Sequence, residues 1–191
     1  MIPRADLAAA VRRMFWGYFL LSLDINFSLD TVFTLPLLPD AAGWYLLWRG
    51  TMALTSQRSS LGLLGPLCVS LSVYSLLQFL PALEAMVPGW LDLLMAMVTL
   101  YTHFQLLTDV AGVAEEVLPG SLYPLRLRTA RTLIVLIHTL LYCYDLLFLF
   151  SQSFFLSLVL VVAGFLAYLF VMILLRGLSR ALAAPPQAPA L

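Results

Sequence analysis

The chain has 191 residues, of which 62% are hydrophobic and 10% are charged, and its formal net charge at pH 7 is zero. Soluble domains carry about 25% charged residues and about 45–50% apolar ones. This composition excludes an ordinary water-soluble protein, and we expect a lipid bilayer around the chain and no nucleic-acid partner. Backbone groups in lipid must pair within the protein, which leaves helices or closed barrels. The long, continuous apolar runs favour helices over the alternating segments of a barrel.

Six apolar segments approach the length of about 20 residues that a helix needs to cross the hydrocarbon core. We place these spans at residues 10–24, 40–56, 62–83, 90–108, 131–150 and 154–175. All 10 basic residues are arginine, and a cytoplasmic N-terminus puts each of them on the cytoplasmic side or at its edge, as the positive-inside rule demands.

The sequence therefore predicts an all-α, polytopic membrane bundle of about six transmembrane helices. We expect it to lie in the plasma membrane with both the N- and the C-terminus in the cytoplasm. Residues 1–180 form a single transmembrane domain in this prediction, and the Ala/Pro-rich tail over residues 181–191 is disordered.

The first helix leads into an acidic stretch that breaks the apolar pattern. Polar and apolar residues alternate strictly over residues 22–30, and a helix would scatter such a pattern over two faces. We expect the first helix to end near Asp24 and an irregular outer segment to continue to Leu38. Pro39 and Asp40 then predict the start of the second helix, since proline suits the first helical position and a carboxylate complements the helix dipole.

Arg49 is unusual among the arginines because it follows Pro39 by ten residues, about 15 Å down an ideal helix. That depth would place the guanidinium inside the hydrocarbon, where an acidic partner would stabilise it. Asp24 is a candidate partner because the first two helices form a hairpin, so Asp24, Asp40 and Arg49 make a candidate structural or ion-pair site. The alternative is that Arg49 snorkels to the cytoplasmic headgroups.

Helices three, four and five each carry a stripe of polar residues. The stripes are Ser70, Tyr74 and Gln78 on helix three, Asp92, Thr99 and His103 on helix four, and His138, Tyr142 and Asp145 on helix five. Facing stripes of carboxylates and imidazoles could relay protons or cations through the bilayer. The alternative is structural, because polar side chains also hold membrane helices together by hydrogen bonds. The pattern of helix four continues past the membrane to Val117, where Pro119-Gly120 stops it.

Signatures of catalytic or metal centres are missing from the sequence. It contains no G-x-S-x-G nucleophile elbow, no H-E-x-x-H zinc site and no P-loop. The acidic D-x-N-x-S-x-D run that follows the first helix lacks the glycine and the distal glutamate of an EF-hand loop. We therefore expect no enzyme, no cofactor and no metal site.

The run Asp24-Ile25-Asn26, followed by Leu37-Leu38-Pro39-Asp40-Ala41-Ala42-Gly43-Trp44, resembles small uncharacterised multi-spanning membrane proteins of Gram-positive gut bacteria. In those proteins a D-I after the first helix precedes L-L-P-D-x-x-G-[YW] at the start of the second. The resemblance covers the first quarter of the chain, and Arg49 lies outside it. It implies a bacterial multi-pass membrane protein and implies no particular activity.

Two functions from different classes fit this sequence. The first is a membrane protein that moves or senses a small solute or cation along the polar stripes of helices four and five. The second is a non-catalytic interaction or assembly subunit, whose partner is another membrane protein or a second copy of the chain.

Overall fold

A computed structural model describes residues 3–23, 39–79, 87–146 and 154–184. Within these ranges the chain forms six α-helices, which confirms the predicted all-α fold. The helices are α1 (Arg4–Leu23), α2 (Pro39–Leu54), α3 (Ser60–Phe79), α4 (Gly89–Val117), α5 (Tyr123–Leu146) and α6 (Phe154–Ala183). Buried leucine, alanine and valine side chains from all six helices form one core.

One predicted helix end is confirmed by these bounds, since α4 ends at Val117, whereas the residues after Leu23 and before Pro39 lie outside the described part of the chain. The chain turns after α4 at Gly120, whose φ of 78° lies in the left-handed region that glycine adopts without strain. α6 continues to Ala183, and so includes the first residues of the predicted disordered tail. The predicted irregular segment from Asp24 to Leu38 and the rest of the tail lie outside the described residues.

Three of the six helices are long and apolar enough to cross a membrane. They are Ser60–Gln78 in α3, Gly89–Val117 in α4 and Leu158–Ala183 in α6. α2 has only 16 described residues, while the described parts of α1 and α5 carry several charged side chains near their first turns. The membrane character of the chain therefore rests on three helices.

Neighbouring helices run antiparallel, so their ends meet at two faces of the bundle. At one face, the start of α1 contacts the ends of α4 and α6. At the same face, the end of α4 contacts the α2–α3 turn and α5. They are Arg4 Nη2 to the Val117 carbonyl (3.2 Å), Arg58 to Glu116 (2.5 Å), Arg128 to Glu115 (2.6 Å) and Ser179 Oγ to the Ala8 carbonyl (2.9 Å). We call this face the basic end.

Glycines allow α1 and α2 to approach closely. A Cβ atom added to Gly17 would lie 2.9 Å from the Gly43 carbonyl oxygen and 2.9 Å from Leu47 Cγ. A Cβ atom added to Gly50 would lie 2.7 Å from Met14 Cγ. Small residues are common where membrane helices cross, because association in lipid depends on close van der Waals packing.

We expect Gly17→Ala to destabilise the bundle, because its methyl group would press against a backbone carbonyl that cannot rotate away. Overpacking costs about 1–3 kcal/mol. This cost exceeds the gain of about 0.5–1 kcal/mol that alanine gives over glycine inside a helix. SDS titration in mixed micelles would measure the lowered free energy of unfolding. Gly62→Ala is the matched control, since its Cβ would meet only Thr55 Cγ2 at 3.9 Å. Equal destabilisation by both variants would contradict the close α1–α2 contact.

Candidate functional site

A polar cavity opens at the end of the bundle opposite the basic end. Its volume is about 570 Å³, and side chains from all six helices line it. Its polar lining residues are Ser22, Asp40, Tyr74, Ser75, Gln78, Asp92, Thr99, His138, Tyr142 and Tyr168. The lining includes two carboxylates and, among the described residues, no Arg or Lys. The cavity therefore favours a positively charged occupant.

Asp92 forms one wall of this cavity, where α3 and α4 meet. The Tyr74 hydroxyl donates a hydrogen bond to Asp92 Oδ1, and Gln78 Nε2 donates one to the Tyr74 oxygen at 3.0 Å. Asp92 lies in the first turn of α4, and Asp40 lies in the first turn of α2. The positive N-terminal end of a helix therefore stabilises each carboxylate. Two negative groups can thus face the same cavity.

A hydrogen-bonded run of four side chains leads inward from the cavity, and we call it the tyrosine–histidine chain. The Tyr18 hydroxyl lies 3.0 Å from Nδ1 of His103, and the Tyr168 hydroxyl lies 3.2 Å from Nε2 of the same ring. The Tyr168 hydroxyl also lies 3.1 Å from Nε2 of His138. Because the four residues come from α1, α4, α5 and α6, the chain ties four helices together.

The Ile134 carbonyl sets the direction of these hydrogen bonds. It lies 2.8 Å from Nδ1 of His138, and a carbonyl can only accept, so that nitrogen carries the hydrogen. In a neutral His138 ring Nε2 then accepts from Tyr168. Since Tyr168 has a single hydroxyl hydrogen, its oxygen accepts from Nε2 of His103 when that ring is also neutral. Nδ1 of His103 then accepts from the Tyr18 hydroxyl. All donors in the line are therefore directed from Tyr18 towards the Ile134 carbonyl.

Only part of the tyrosine–histidine chain reaches the cavity. His138 and Tyr168 line it, whereas His103 is 0% exposed. The His103 ring packs between aromatic rings, with centroid distances of 5.4 Å to Trp44, 5.4 Å to Tyr18 and 5.5 Å to His138. The chain therefore leads from the cavity wall into the closed interior of the bundle.

Buried leucines lie between this chain and the basic end. Leu106 and Leu107 on α4 and Leu64 on α3 are at most 1% exposed. Beyond them lies a second polar group, centred on buried Asp109. Ser60 Oγ donates to Asp109 Oδ1 at 2.9 Å, and Gln105 Nε2 donates to Oδ2 at 3.0 Å. Gln105 follows His103 by two residues on α4, so the second polar group begins close to the tyrosine–histidine chain along this helix.

This arrangement can bind a small cation and can pass protons between groups. Imidazoles and phenols in one hydrogen-bonded line can exchange protons by each donating on one side and accepting on the other. A metal centre is less well supported, because the described residues contain no group of three His, Cys, Asp or Glu side chains placed to hold an ion.

The structure brings most of the predicted polar stripes together. Asp92 and Tyr142 line the cavity, His138 joins the cavity to the tyrosine–histidine chain, and His103 lies within that chain. The His138 and Tyr142 ring centroids are 6.3 Å apart. Asp145 belongs to α5, but its side chain lies outside the described residues.

The second predicted site is not assembled in the described part of the chain. Asp40 lines the cavity near the start of α2. Arg49 follows it by nine residues, about 14 Å along the helix axis. The Arg49 side chain is exposed and donates to the Tyr45 hydroxyl of its own helix at 3.3 Å. Asp24 lies outside the described residues, so the predicted Asp24–Arg49 pair stays a prediction.

Sequence reasoning missed both tyrosines that complete the tyrosine–histidine chain. Tyr18 is 0% exposed in α1, and Tyr168 is half-buried in α6. Each is the one tyrosine of its helix, which is the signal that could have drawn attention to it. Asp109 was also missed, although a carboxylate in the buried part of α4 needs hydrogen-bond donors.

Comparisons with protein-family models, curated proteins and solved structures give no match for this chain. The resemblance carried by Asp24-Ile25-Asn26 and the Leu37–Trp44 run therefore stays a prediction, and the functional argument rests on the geometry of the cavity and of the tyrosine–histidine chain.

We expect Tyr168→Phe to break the link between the two histidines and to lower the free energy of unfolding by about 1 kcal/mol. Hydrogen bonds between membrane helices contribute about 0.6 kcal/mol each on average, and this variant removes two. SDS titration would measure the change. Tyr101→Phe is the control, since Tyr101 is 47% exposed and its hydroxyl makes no hydrogen bond to the described residues. If both variants unfold like the wild type, the tyrosine–histidine chain contributes nothing to the fold.

Proposed function

We propose that the protein crosses the plasma membrane of a bacterium six times, with both termini in the cytoplasm and with the cavity open to the outside. Charge distribution supports this orientation. The basic end carries exposed Arg12, Arg13, Arg126, Arg176 and Arg180, and the opposite end presents Asp40 and Asp92 in the cavity. Cytoplasmic segments of membrane proteins carry such an arginine excess.

In this orientation the protein binds a small cation from the outside and moves or senses it. The observation that carries the proposal is the cavity of about 570 Å³ with two carboxylates and no basic residue among its described lining. This volume lies within the range of about 300–1,000 Å³ that small-molecule sites occupy. Ionisable groups inside a membrane bundle are costly and commonly mark ion or substrate pathways.

The tyrosine–histidine chain supplies a proton-transfer function below the cation site. His138 and Tyr168 touch both the cavity and the interior, so a cation at Asp92 or a proton at His138 would reorganise the hydrogen bonds that reach Tyr18. Leu64, Leu106 and Leu107 are buried beyond this chain, and His103 itself is fully buried. The protein is therefore proposed as a carrier or sensor that changes conformation, and an open pore is disfavoured.

A non-catalytic interaction or assembly subunit is the second candidate function. One observation favours it: both ring nitrogens of His103 and of His138 already have partners. Such a fully paired network can hold the helices together without any transport role. In that case the cavity end or the basic end would contact another membrane protein or a second copy of the chain.

Topology can be tested by cysteine labelling of spheroplasts. After Cys68 and Cys143 are replaced by serine, we expect a cysteine at Ser56 or Leu122 to be protected from a membrane-impermeant maleimide. A cysteine at Val87 should react at once, because it precedes α4 at the cavity end. Reaction at Ser56 in intact cells, with protection at Val87, would reverse the proposed orientation.

Cation binding can be tested with the purified full chain in detergent. A ligand present at about 100 times its Kd stabilises the folded state by about 2.7 kcal/mol, so a panel of small ammonium compounds should contain one that raises the unfolding temperature. We expect Asp92→Asn to abolish that rise, because it removes a negative charge from the cavity. Asp6→Asn is the control, since Asp6 is exposed near the basic end.

Flux in liposomes then separates the two candidate functions. Uptake of the stabilising cation or of protons should fall to the leak of empty liposomes in His138→Ala and stay unchanged in Thr139→Val, an exposed neighbour that bonds only the Val135 carbonyl. If no cation stabilises the protein and no flux occurs, co-purification of another membrane protein that is lost on Asp40→Asn would favour the interaction subunit.

A further inference from the structure

A second hollow lies near the basic end, between α1 and α6, and is separate from the cation cavity. Its volume is about 410 Å³. One stripe of each helix lines it: Arg12, Phe15 and Trp16 on α1, and Arg176, Ser179, Arg180 and Ala183 on α6. We call it the arginine hollow. The hydrogen bond from Ser179 Oγ to the Ala8 carbonyl, at 2.9 Å, holds the two helices together beside it.

The positive charges of this hollow are not compensated within the described residues. Arg12, Arg176 and Arg180 are exposed, and none of them makes an ion pair or a hydrogen bond to another described residue. Among the described residues that line the hollow there is no Asp or Glu. Three guanidinium groups around one space repel one another, so an anion that enters it is stabilised by all three.

Three other arginines near the basic end have partners. Arg58 pairs with Glu116 and Arg128 pairs with Glu115. The guanidinium of Arg131 donates to Thr108 and lies 4.6 Å from the centre of the Phe104 ring. Glu115 and Glu116 are thus engaged by Arg128 and Arg58 and do not compensate the charges of the arginine hollow.

Aromatic side chains form the remaining wall of the hollow. Trp16 is 48% exposed and stacks edge-on against Phe15 and Phe19, with centroid distances of 5.2 Å and 5.4 Å. An exposed indole is suited to the headgroup level of a membrane. The hollow therefore combines a cationic face with an apolar face. This combination suits an amphipathic ligand with an anionic group and an apolar chain.

We propose that the arginine hollow binds a phosphate group, supplied by the headgroup of an anionic phospholipid. Guanidinium groups present planar pairs of donors that match phosphate oxygens. Basic pockets between transmembrane helices on the cytoplasmic side are known lipid-headgroup sites. This site is independent of the proposed cation function, since it shares no residue with the cavity.

The test measures binding of short-chain phosphatidylglycerol to the full chain in a non-ionic detergent, at fixed ionic strength. We expect tighter binding of phosphatidylglycerol than of phosphatidylcholine of the same chain length. Arg12→Gln, Arg176→Gln and Arg180→Gln should each weaken it about fivefold, the usual contribution of one basic residue near an anionic lipid surface. Arg180→Lys, which keeps the charge and loses the paired donors, should retain part of the binding.

Arg126→Gln is the matched control, because Arg126 is an exposed arginine in the first turns of α5 and does not line the hollow. A competition with inorganic phosphate identifies the source of the bound group. If millimolar phosphate displaces the lipid, the hollow binds phosphate but does not require the lipid. If phosphate fails to displace the lipid, the phospholipid headgroup is the ligand. Equal weakening by Arg126→Gln and Arg176→Gln, or equal binding of the two lipids, would overturn the proposal.

Discussion

The interior of this bundle depends on one backbone acceptor. The carbonyl of Ile134 accepts from Nδ1 of His138 at 2.8 Å, and neutral rings then allow a single arrangement of hydrogen bonds through Tyr168 and His103 to Tyr18. Four helices contribute to this line of hydrogen bonds. A change in hydrogen bonding at its cavity end therefore alters the contacts of helices that are distant along the chain. A buried polar group left without a partner costs more than the hydrogen bond itself contributes.

The two ends of the bundle present opposite chemistry to their surroundings. Carboxylates of Asp40 and Asp92 face a cavity at one end, whereas exposed arginines surround a hollow at the other. The same separation of charge that orients a membrane protein also gives each end its own class of ligand, a cation on one side and an anionic headgroup on the other.

The sequence was sufficient for the helices and for half of the site. The end of α4 at Val117 follows from the local signal of Pro119-Gly120, and the shared face of Asp92 and His103 follows from the 3.6-residue period. The role of Tyr168 could not be predicted in this way. In the sequence it looks like exposed Tyr101, and the difference arises only because α6 packs beside α1 and α5, a pairing that depends on the tertiary fold.

The length of α2 has a consequence for the lipid around the protein. Its 16 residues extend about 24 Å, less than the hydrocarbon core of about 30 Å, while the 30 residues of α6 extend about 45 Å. In the proposed six-span arrangement, acyl chains beside α2 must therefore shorten or tilt. Hydrophobic mismatch of this kind costs fractions of a kcal/mol per Å, so over the 16 described residues of α2 the bundle favours thin regions of a membrane.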